Sequence, residues 1–288
     1  MPELPEVETI VRELDSKIKN KKIKSVEVKV PKMVNFSVKN FKKYLIGSKI
    51  KRVYRRAKMI IIELDDNHYL LIHLKMTGQL IYAKKDGRVA AVGGHPQRGG
   101  LDGLPNKFTH IVITFFDGSR LFYNDMRKFG WMKIVDGKHL SLIDKSYGIE
   151  PFKRDFTLSN FLAVLAHYSN RKIKQILMDQ SLVGGVGNIY ADESCFCAKI
   201  RPTRIAKTLT KIESKNLFLC ISKIMKLAIS KGGTSADTYV RTDGTKGGFE
   251  KYLKVYGRGG QKCKRCSGVI KKIKLNGRGT HYCESCQK

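Results

Sequence analysis

Two cysteine pairs constrain this chain more than any other feature: Cys263-Lys-Arg-Cys266 and Cys283-Glu-Ser-Cys286, with sixteen residues between them. A CxxC turn sets two thiolates on one side of a tight bend, and two such turns complete a tetrahedron around one Zn²⁺. The chain between the pairs must therefore double back. The segment VIKKIKLNGRGTHY alternates apolar with basic residues and contains Asn276-Gly277, a dipeptide suited to a two-residue hairpin turn. The spacing predicts a zinc ribbon over residues 256–288, with Cys263, Cys266, Cys283 and Cys286 holding one structural zinc. An iron–sulfur cluster is a remote second reading.

Charge limits the partners. Among 288 residues, 56 Lys and Arg face 25 Asp and Glu, a net charge of +31. From Lys251 onward eleven cations face a single anion, Glu284. Such a field attracts polyanions, and nucleic acid binds it through phosphate neutralisation and counterion release. Charge alone does not separate this from the basic surface of a thermophile or ribosomal protein. No run reaches the ~18 apolar residues of a membrane span. The start, MPELPEVETIVREL, carries Glu3, Glu6 and Glu8 where a secretory signal would be basic and then apolar. The expectation is a cytoplasmic protein whose cysteines are thiols or metal ligands. Cys195, Cys197 and Cys220 lie on helical segments and read as buried free thiols.

A length of 288 residues suggests two domains. Residues 6–20 carry Val7, Ile10, Val11, Leu14 and Ile18 at helical spacing. KSVEVKV, RVYRRAKMIIIELDD, HYLLIHLKM, HIVITFFDG, RLFYND and WMKIVDG then read as strands. The Gly-rich stretch 84–107 reads as a long mobile loop, an insertion between strands. FTLSNFLAVLAH, RKIKQILMD, NIYADESCFCAKI and LTKIESKNLFLCISKIMKLAIS read as helices, with N-caps around Thr157 and Thr208–Thr210. The predicted organisation is a β-rich domain over 1–135, a linker over 136–156, a helical domain over 157–232, a loop and connection over 233–255, and the ribbon.

The N-terminus is a potential reagent. A small residue after Met1 permits removal of the methionine, leaving Pro2 with a free secondary amine. An α-amino group titrates near ~7.7–8, so a useful fraction is neutral near pH 7. A neutral amine can attack a sugar C1′ and form a covalent intermediate. Its iminium stays positively charged and acidifies C2′, which favours strand cleavage by elimination. Glu3 lies next door as a proton donor. Many chains begin Met-Pro without using it, so this reading needs support from elsewhere.

That support comes from MPELPEVET, RRAKM at 55–59, HLKMTG at 73–78, NDMRKFG at 124–130, GGVGNIYADES at 184–194 and the closing GRGTHYCESCQK. Together, and in this order, they resemble the bacterial formamidopyrimidine-DNA glycosylase family, whose endonuclease VIII relatives prefer oxidised pyrimidines. The resemblance implies an α+β fold: an N-terminal antiparallel β-sandwich with flanking helices, then a C-terminal helix–two-turn–helix domain and zinc finger, with DNA in the cleft. It implies a bifunctional glycosylase and AP lyase of base excision repair. Such an enzyme acts as a monomer on double-stranded DNA containing damaged bases, cytoplasmic and associated with the nucleoid.

By the same likeness Pro2 is the Schiff-base nucleophile and Glu3 the general acid. Lys58 serves β-elimination, and Arg278 serves δ-elimination. Asn188 binds phosphate, and as it precedes a helix its neighbouring backbone N–H groups favour an anion too. Met76, Arg127 and Phe129 fill the gap left by a flipped nucleotide, since chemistry at C1′ needs the base extruded. Spacing alone reads Met76 and Phe129 as core. His73 and Lys174 resemble further DNA-backbone contacts assisted by Arg171 and Lys172, against the alternative of a solvated basic face. The chain has Phe108 where the family often has histidine, leaving only His110 nearby. The 234–249 loop resembles a lesion-capping loop, with Tyr239, Arg241 and Phe249 to close over a purine. The rivals are an endonuclease VIII-like enzyme and a non-catalytic DNA-binding protein on the same scaffold.

Overall fold

The structure, a computed structural model, describes residues 1–95, 99, 101–234 and 248–288. The chain forms two compact units, Met1–Asp144 with Gly232–Gly248, and Lys145–Lys231 with Phe249–Lys288.

The first unit opens with helix α1 (Leu4–Ile18). Its strands are β1 (Ile23–Val28), β2 (Ile50–Arg56), β3 (Met59–Leu64), β4 (His68–His73), β5 (Gly78–Ala83), β6 (Val89–Gly94), β7 (Thr109–Phe115), β8 (Arg120–Asp125) and β9 (Trp131–Asp136). Helix α2 (Val38–Leu45) lies between β1 and β2, and α3 (Gly137–Ser146) begins directly after β9. A five-stranded sheet, β1-β7-β8-β5-β6, and a four-stranded sheet, β2-β3-β4-β9, are antiparallel throughout.

One apolar core joins both sheets to α1 and α2. Ile111, Ile113, Leu121 and Tyr123 meet Ile60, Ile62, Leu70 and Ile72, with Val7, Ile10, Leu14, Phe41 and Leu45 packed in. A buried aliphatic side chain contributes roughly 1.5–3 kcal/mol, so this cluster is the main term holding the sandwich. Ile81, Val92, Val112 and Phe122 point to the other face of the five-stranded sheet and are also buried. The expectation of a structureless stretch over 84–107 is corrected: β6 lies within it, paired to β5 from Gln79↔Gly94 to Ala83↔Val89. Likewise α3 occupies part of the predicted linker.

The second unit holds α4 (Leu158–His167), α5 (Ile173–Met178), α6 (Asn188–Cys197), α7 (Lys211–Ser230) and the hairpin β10 (Ile270–Leu275) and β11 (Arg278–Cys283). Thr157 caps α4, accepting from Asn160 N–H at 3.2 Å. Thr210 and Glu213 form a reciprocal capping box on α7, worth about 1 kcal/mol. Leu275 and Arg278 close the ribbon turn, and Asn276 (φ 48°) and Gly277 (φ 74°) both take the left-handed backbone that a type I′ turn requires. Cys195 is a fully buried thiol, pushed above its ordinary range by burial. Cys197 and Cys220 are not free thiols as expected; they form a disulfide joining α6 to α7. Among the described residues no helix is long and apolar enough to cross a membrane.

Candidate functional site

The N-terminal segment is fixed before its chemistry begins. Pro2 and Glu3 are buried, Glu3 to 3% exposure. Glu3 is the N-cap of α1, and its N–H donates to Glu6 Oε2 at 2.8 Å in a reciprocal capping box. The other oxygen of Glu6 accepts from Thr234 N–H at 2.8 Å. Glu6 thus ties the N-terminus to the residue that precedes the 235–247 segment. A carboxyl so buried beside a chain terminus is costly unless hydrogen-bonded, and is the type of group enzymes use as an acid.

Lys58 sits in the two-residue turn between β2 and β3, closed by Arg56↔Met59 and begun by Ala57 at φ 50°. It is buried to 6% exposure. Arg55 holds this turn, donating from Nε to Glu8 Oε2 at 2.7 Å and from Nη1 to Ala57 O at 3.4 Å. Glu8 also accepts from Arg12 Nε at 2.7 Å, so α1 and the lysine turn are clasped by one carboxylate.

His73 ends β4. Its Nδ1 accepts from Lys75 N–H at 3.0 Å, which puts the ring proton on Nε2. Burial holds its pKa down at about 3, and the Lys75 and Lys58 ammonium groups add to the depression. The ring is therefore neutral at physiological pH, a donor rather than a cation. The unfolded value is near ~6.5, so the stabilising effect is fully present above that pH and is lost as pH falls towards the folded value. Between pH 6.5 and 5 the wild type should lose more stability than His73→Asn, by at most ~1.4 kcal/mol per pH unit. Paired pH-dependent unfolding curves check this; parallel curves rule it out.

Met76, Arg127 and Phe129 are exposed, Met76 to 38% and Phe129 to 56%, so core packing does not account for them. The Arg127 guanidinium lies 4.5 Å from the Phe129 ring centroid. Gly130 admits no side chain: a Cβ there would lie 1.7 Å from the Tyr123 hydroxyl. His110 is buried, with Nε2 2.7 Å from Asp125 O, and Phe108 is half-buried with the Lys107 ammonium over its ring. Thr77 and Asp125 are buried, which nothing in the HLKMTG and NDMRKFG motifs that contain them marks.

In the second unit Asn188 is the first residue of α6, and its Oδ1 is buried with no hydrogen-bond partner among the described residues. Lys172 caps α5, its N–H donating to Gln175 Oε1 at 3.0 Å. Arg171 is half-exposed, paired with Asp179 at 3.0 Å and set over Tyr168. Arg278 is exposed at the ribbon turn. Lys174 departs from the expected phosphate contact. Its side chain is 2% exposed, and its ammonium meets Asp192 Oδ1 at 2.7 Å, Thr280 Oγ1 at 2.8 Å and Gly279 O at 3.0 Å. The ammonium is thus held by one ion pair and two hydrogen bonds. Lys174 is therefore a staple between α5, α6 and β11.

Two adjacent carboxylates on α6 complete that junction. Asp192 Oδ2 accepts from His281 N–H at 2.8 Å, and Glu193 Oε1 accepts from Val255 and Tyr256 N–H at 2.9 Å. The sulfurs of Cys263, Cys266, Cys283 and Cys286 lie within 4.8 Å of one another, and a four-thiolate set suits one tetrahedral zinc. Phe249, expected over a flipped base, is instead 1% exposed, packed against Tyr190 and Tyr252. Tyr239 and Arg241, the other expected capping residues, lie outside the described residues.

Comparison with known proteins bears on every part of the chain. Residues 1–132 match the formamidopyrimidine-DNA glycosylase N-terminal domain, 147–240 the formamidopyrimidine-DNA glycosylase H2TH domain, and 260–288 the zinc finger found in FPG and IleRS. The chain is 40% identical to the formamidopyrimidine-DNA glycosylase of Streptococcus mutans, covering 100% of both chains. It is also 40% identical to that of Listeria monocytogenes, with 100% of both covered. A solved complex between Lactococcus lactis Fpg and DNA containing an abasic site superposes with a TM-score of 0.87 at 38% identity, over 99% of each chain. MutM in complex with DNA containing carbocyclic 8-oxo-G gives 0.86 at 38% identity, over 100% of each.

Proposed function

The chain belongs to the formamidopyrimidine-DNA glycosylase family, and from that premise we propose that this DNA glycosylase of base excision repair removes oxidised purines through covalent catalysis by Pro2. One observation carries the reading: Glu3 is a buried carboxyl, locked at the start of α1 beside the prospective nucleophile. Its place supports a role as proton donor to the departing base, and the neighbouring Pro2 amine, once Met1 is removed, attacks C1′. The C1′–N bond breaks and the base leaves with the proton; the attached Pro2 nitrogen then gives up its own proton, the C1′–O4′ bond opens with O4′ taking a proton as a hydroxyl, and a positively charged iminium joins Pro2 to the opened sugar. Loss of a C2′ proton then expels the 3′ phosphate. Lys58 and Arg278 are assigned to β- and δ-elimination and to neutralising the phosphates involved. His73, Arg171, Lys172 and Asn188 are assigned to the DNA backbone, and Met76, Arg127 and Phe129 to the gap left by the flipped nucleotide.

We place the enzyme on double-stranded DNA as a cytoplasmic monomer acting on oxidised purines; related proteins form complexes with DNA containing Fapy-dG, carbocyclic 8-oxo-G or an abasic site, which supports that lesion class. The test is a duplex with one 8-oxoguanine opposite cytosine, incubated with borohydride. The iminium should be reduced to a stable protein–DNA adduct, and peptide mapping should put it on Pro2. An adduct on Lys58 overturns the assignment, and faster action on thymine glycol overturns the purine preference.

A further inference from the structure

We propose that Asp125 is a positioning residue which, through Thr77, couples the Met76 loop to the Arg127–Phe129 loop so that both move as one wedge. The proposal rests on the reading of those three side chains as fillers of the gap left by a flipped nucleotide.

Asp125 is the last residue of β8 and is fully buried. Its Oδ1 accepts from the Thr77 hydroxyl and from Arg127 N–H at 3.1 Å, and its Oδ2 accepts from Gly130 N–H at 2.7 Å. Thr77 Oγ1 accepts from the same Arg127 N–H at 3.1 Å. The Asp125 carbonyl accepts from Lys128 N–H at 3.3 Å and is met by His110 Nε2 at 2.7 Å. One carboxylate therefore grips both ends of the 126–130 turn and reaches across to the residue after Met76. Among the described residues no lysine or arginine forms an ion pair with it. Its charge is balanced by N–H and O–H dipoles of the loops themselves, so the loop geometry and the carboxylate depend on each other.

The wedge needs this bracing. Met76, Arg127 and Phe129 project into solvent, so their own packing does not fix them. Holding a duplex unstacked requires several inserted groups to resist restacking together. If the loops moved separately, the stack could close around either one. A small misplacement of a positioning group can reduce a rate by about 10²-fold.

The test compares Asp125→Asn and Thr77→Val with the wild type on two substrates: duplex 8-oxoguanine, and a single-stranded abasic oligonucleotide that has no stack to hold open. 2-Aminopurine beside the lesion reports unstacking. Both variants should lose about 10²-fold in duplex excision and most of the 2-aminopurine rise, with near-normal borohydride trapping on the single strand. Thr77→Ser keeps the hydroxyl and should restore the signal. The double variant should be no worse than Asp125→Asn, because both remove one coupling. Met76→Ala and Phe129→Ala are run beside them. If those two leave 2-aminopurine unchanged, the gap-filling reading is wrong. If they suppress it and the Asp125 and Thr77 variants do not, the coupling is wrong. Equal losses on both substrates indicate a general folding defect and also overturn it. Should Asp125→Asn not fold, Thr77→Val carries the same outcomes.

Discussion

Glu3→Gln is expected to slow excision of an intact 8-oxoguanine by about 10²–10⁴-fold, the usual contribution of a positioned acid. The substitution isolates the proton. Glutamine has nearly the same shape and keeps an oxygen for the capping box at the start of α1, where Glu3 is 3% exposed. The helix should remain, and with it the placement of Pro2. On a pre-formed abasic site there is no glycosidic bond to break, so the same variant should lose at most about tenfold there. Single-turnover rates on the two duplexes give the comparison. Equal losses would mean that Glu3 positions Pro2 without acting as an acid, and unchanged excision would remove it from the mechanism.

Removing the zinc should abolish duplex binding while leaving the first unit folded. Apparent zinc affinities of about 10–16 kcal/mol in small fingers are folding free energy for the ribbon itself. Here the ligands Cys263 and Cys283 also form the ribbon's small core with Phe196, Val255 and Ile270. Cys266→Ser, or a strong chelator, should therefore unfold 256–288 and disperse Arg278 and its basic neighbours. Zinc release followed with a metal indicator should track the loss of fluorescence anisotropy on labelled duplex. Circular dichroism should retain most of its strand signal, because the sandwich core contains none of these residues. Full binding by the zinc-free protein would show that the ribbon is not part of the grip.

What the sequence revealed was whatever depends on neighbours in the chain. The CxxC spacing, the Asn276-Gly277 turn, the Thr157 and Thr210 caps and the periodicity of α1 are all local, and each is found where expected. Helix α2 escaped notice because VKNFKKYL buries only Phe41 and Leu45. Strand β6 escaped because VAAVGG has only Val89 and Val92 as β-branched residues, set among alanine and glycine, and no aromatic; its pairing with β5 and the approach of Gly93 to Ile10 set its place. The buried carboxylates were the least legible. Asp125, Glu6, Asp192 and Glu193 look like surface acids until the backbone N–H groups they accept from are known. Lys174 misled for the same reason, since a cation near a phosphate-binding motif gives no sign that Asp192 has already claimed it. Cys197 and Cys220 are 23 residues apart, and the packing of α6 on α7 brings them together.

The junction at α6 bears on modularity. A metal ribbon looks like a cassette that could be lifted out and grafted onto another protein. This one has part of its specification outside itself. Glu193 organises the backbone of Lys254–Tyr256 ahead of the first cysteine, and Asp192 pins β11 at His281. Gln287 spans from Cys283 N–H, where its Oε1 accepts at 2.8 Å, to Ile200 O, to which its Nε2 donates at 2.7 Å. Excising 256–288 would discard these anchors from the ribbon and leave Lys174 and Asp192 without their β11 partners in the donor. A workable transplant would have to take α5 and α6 as well, so the exchangeable unit in this protein is the helix pair together with its finger.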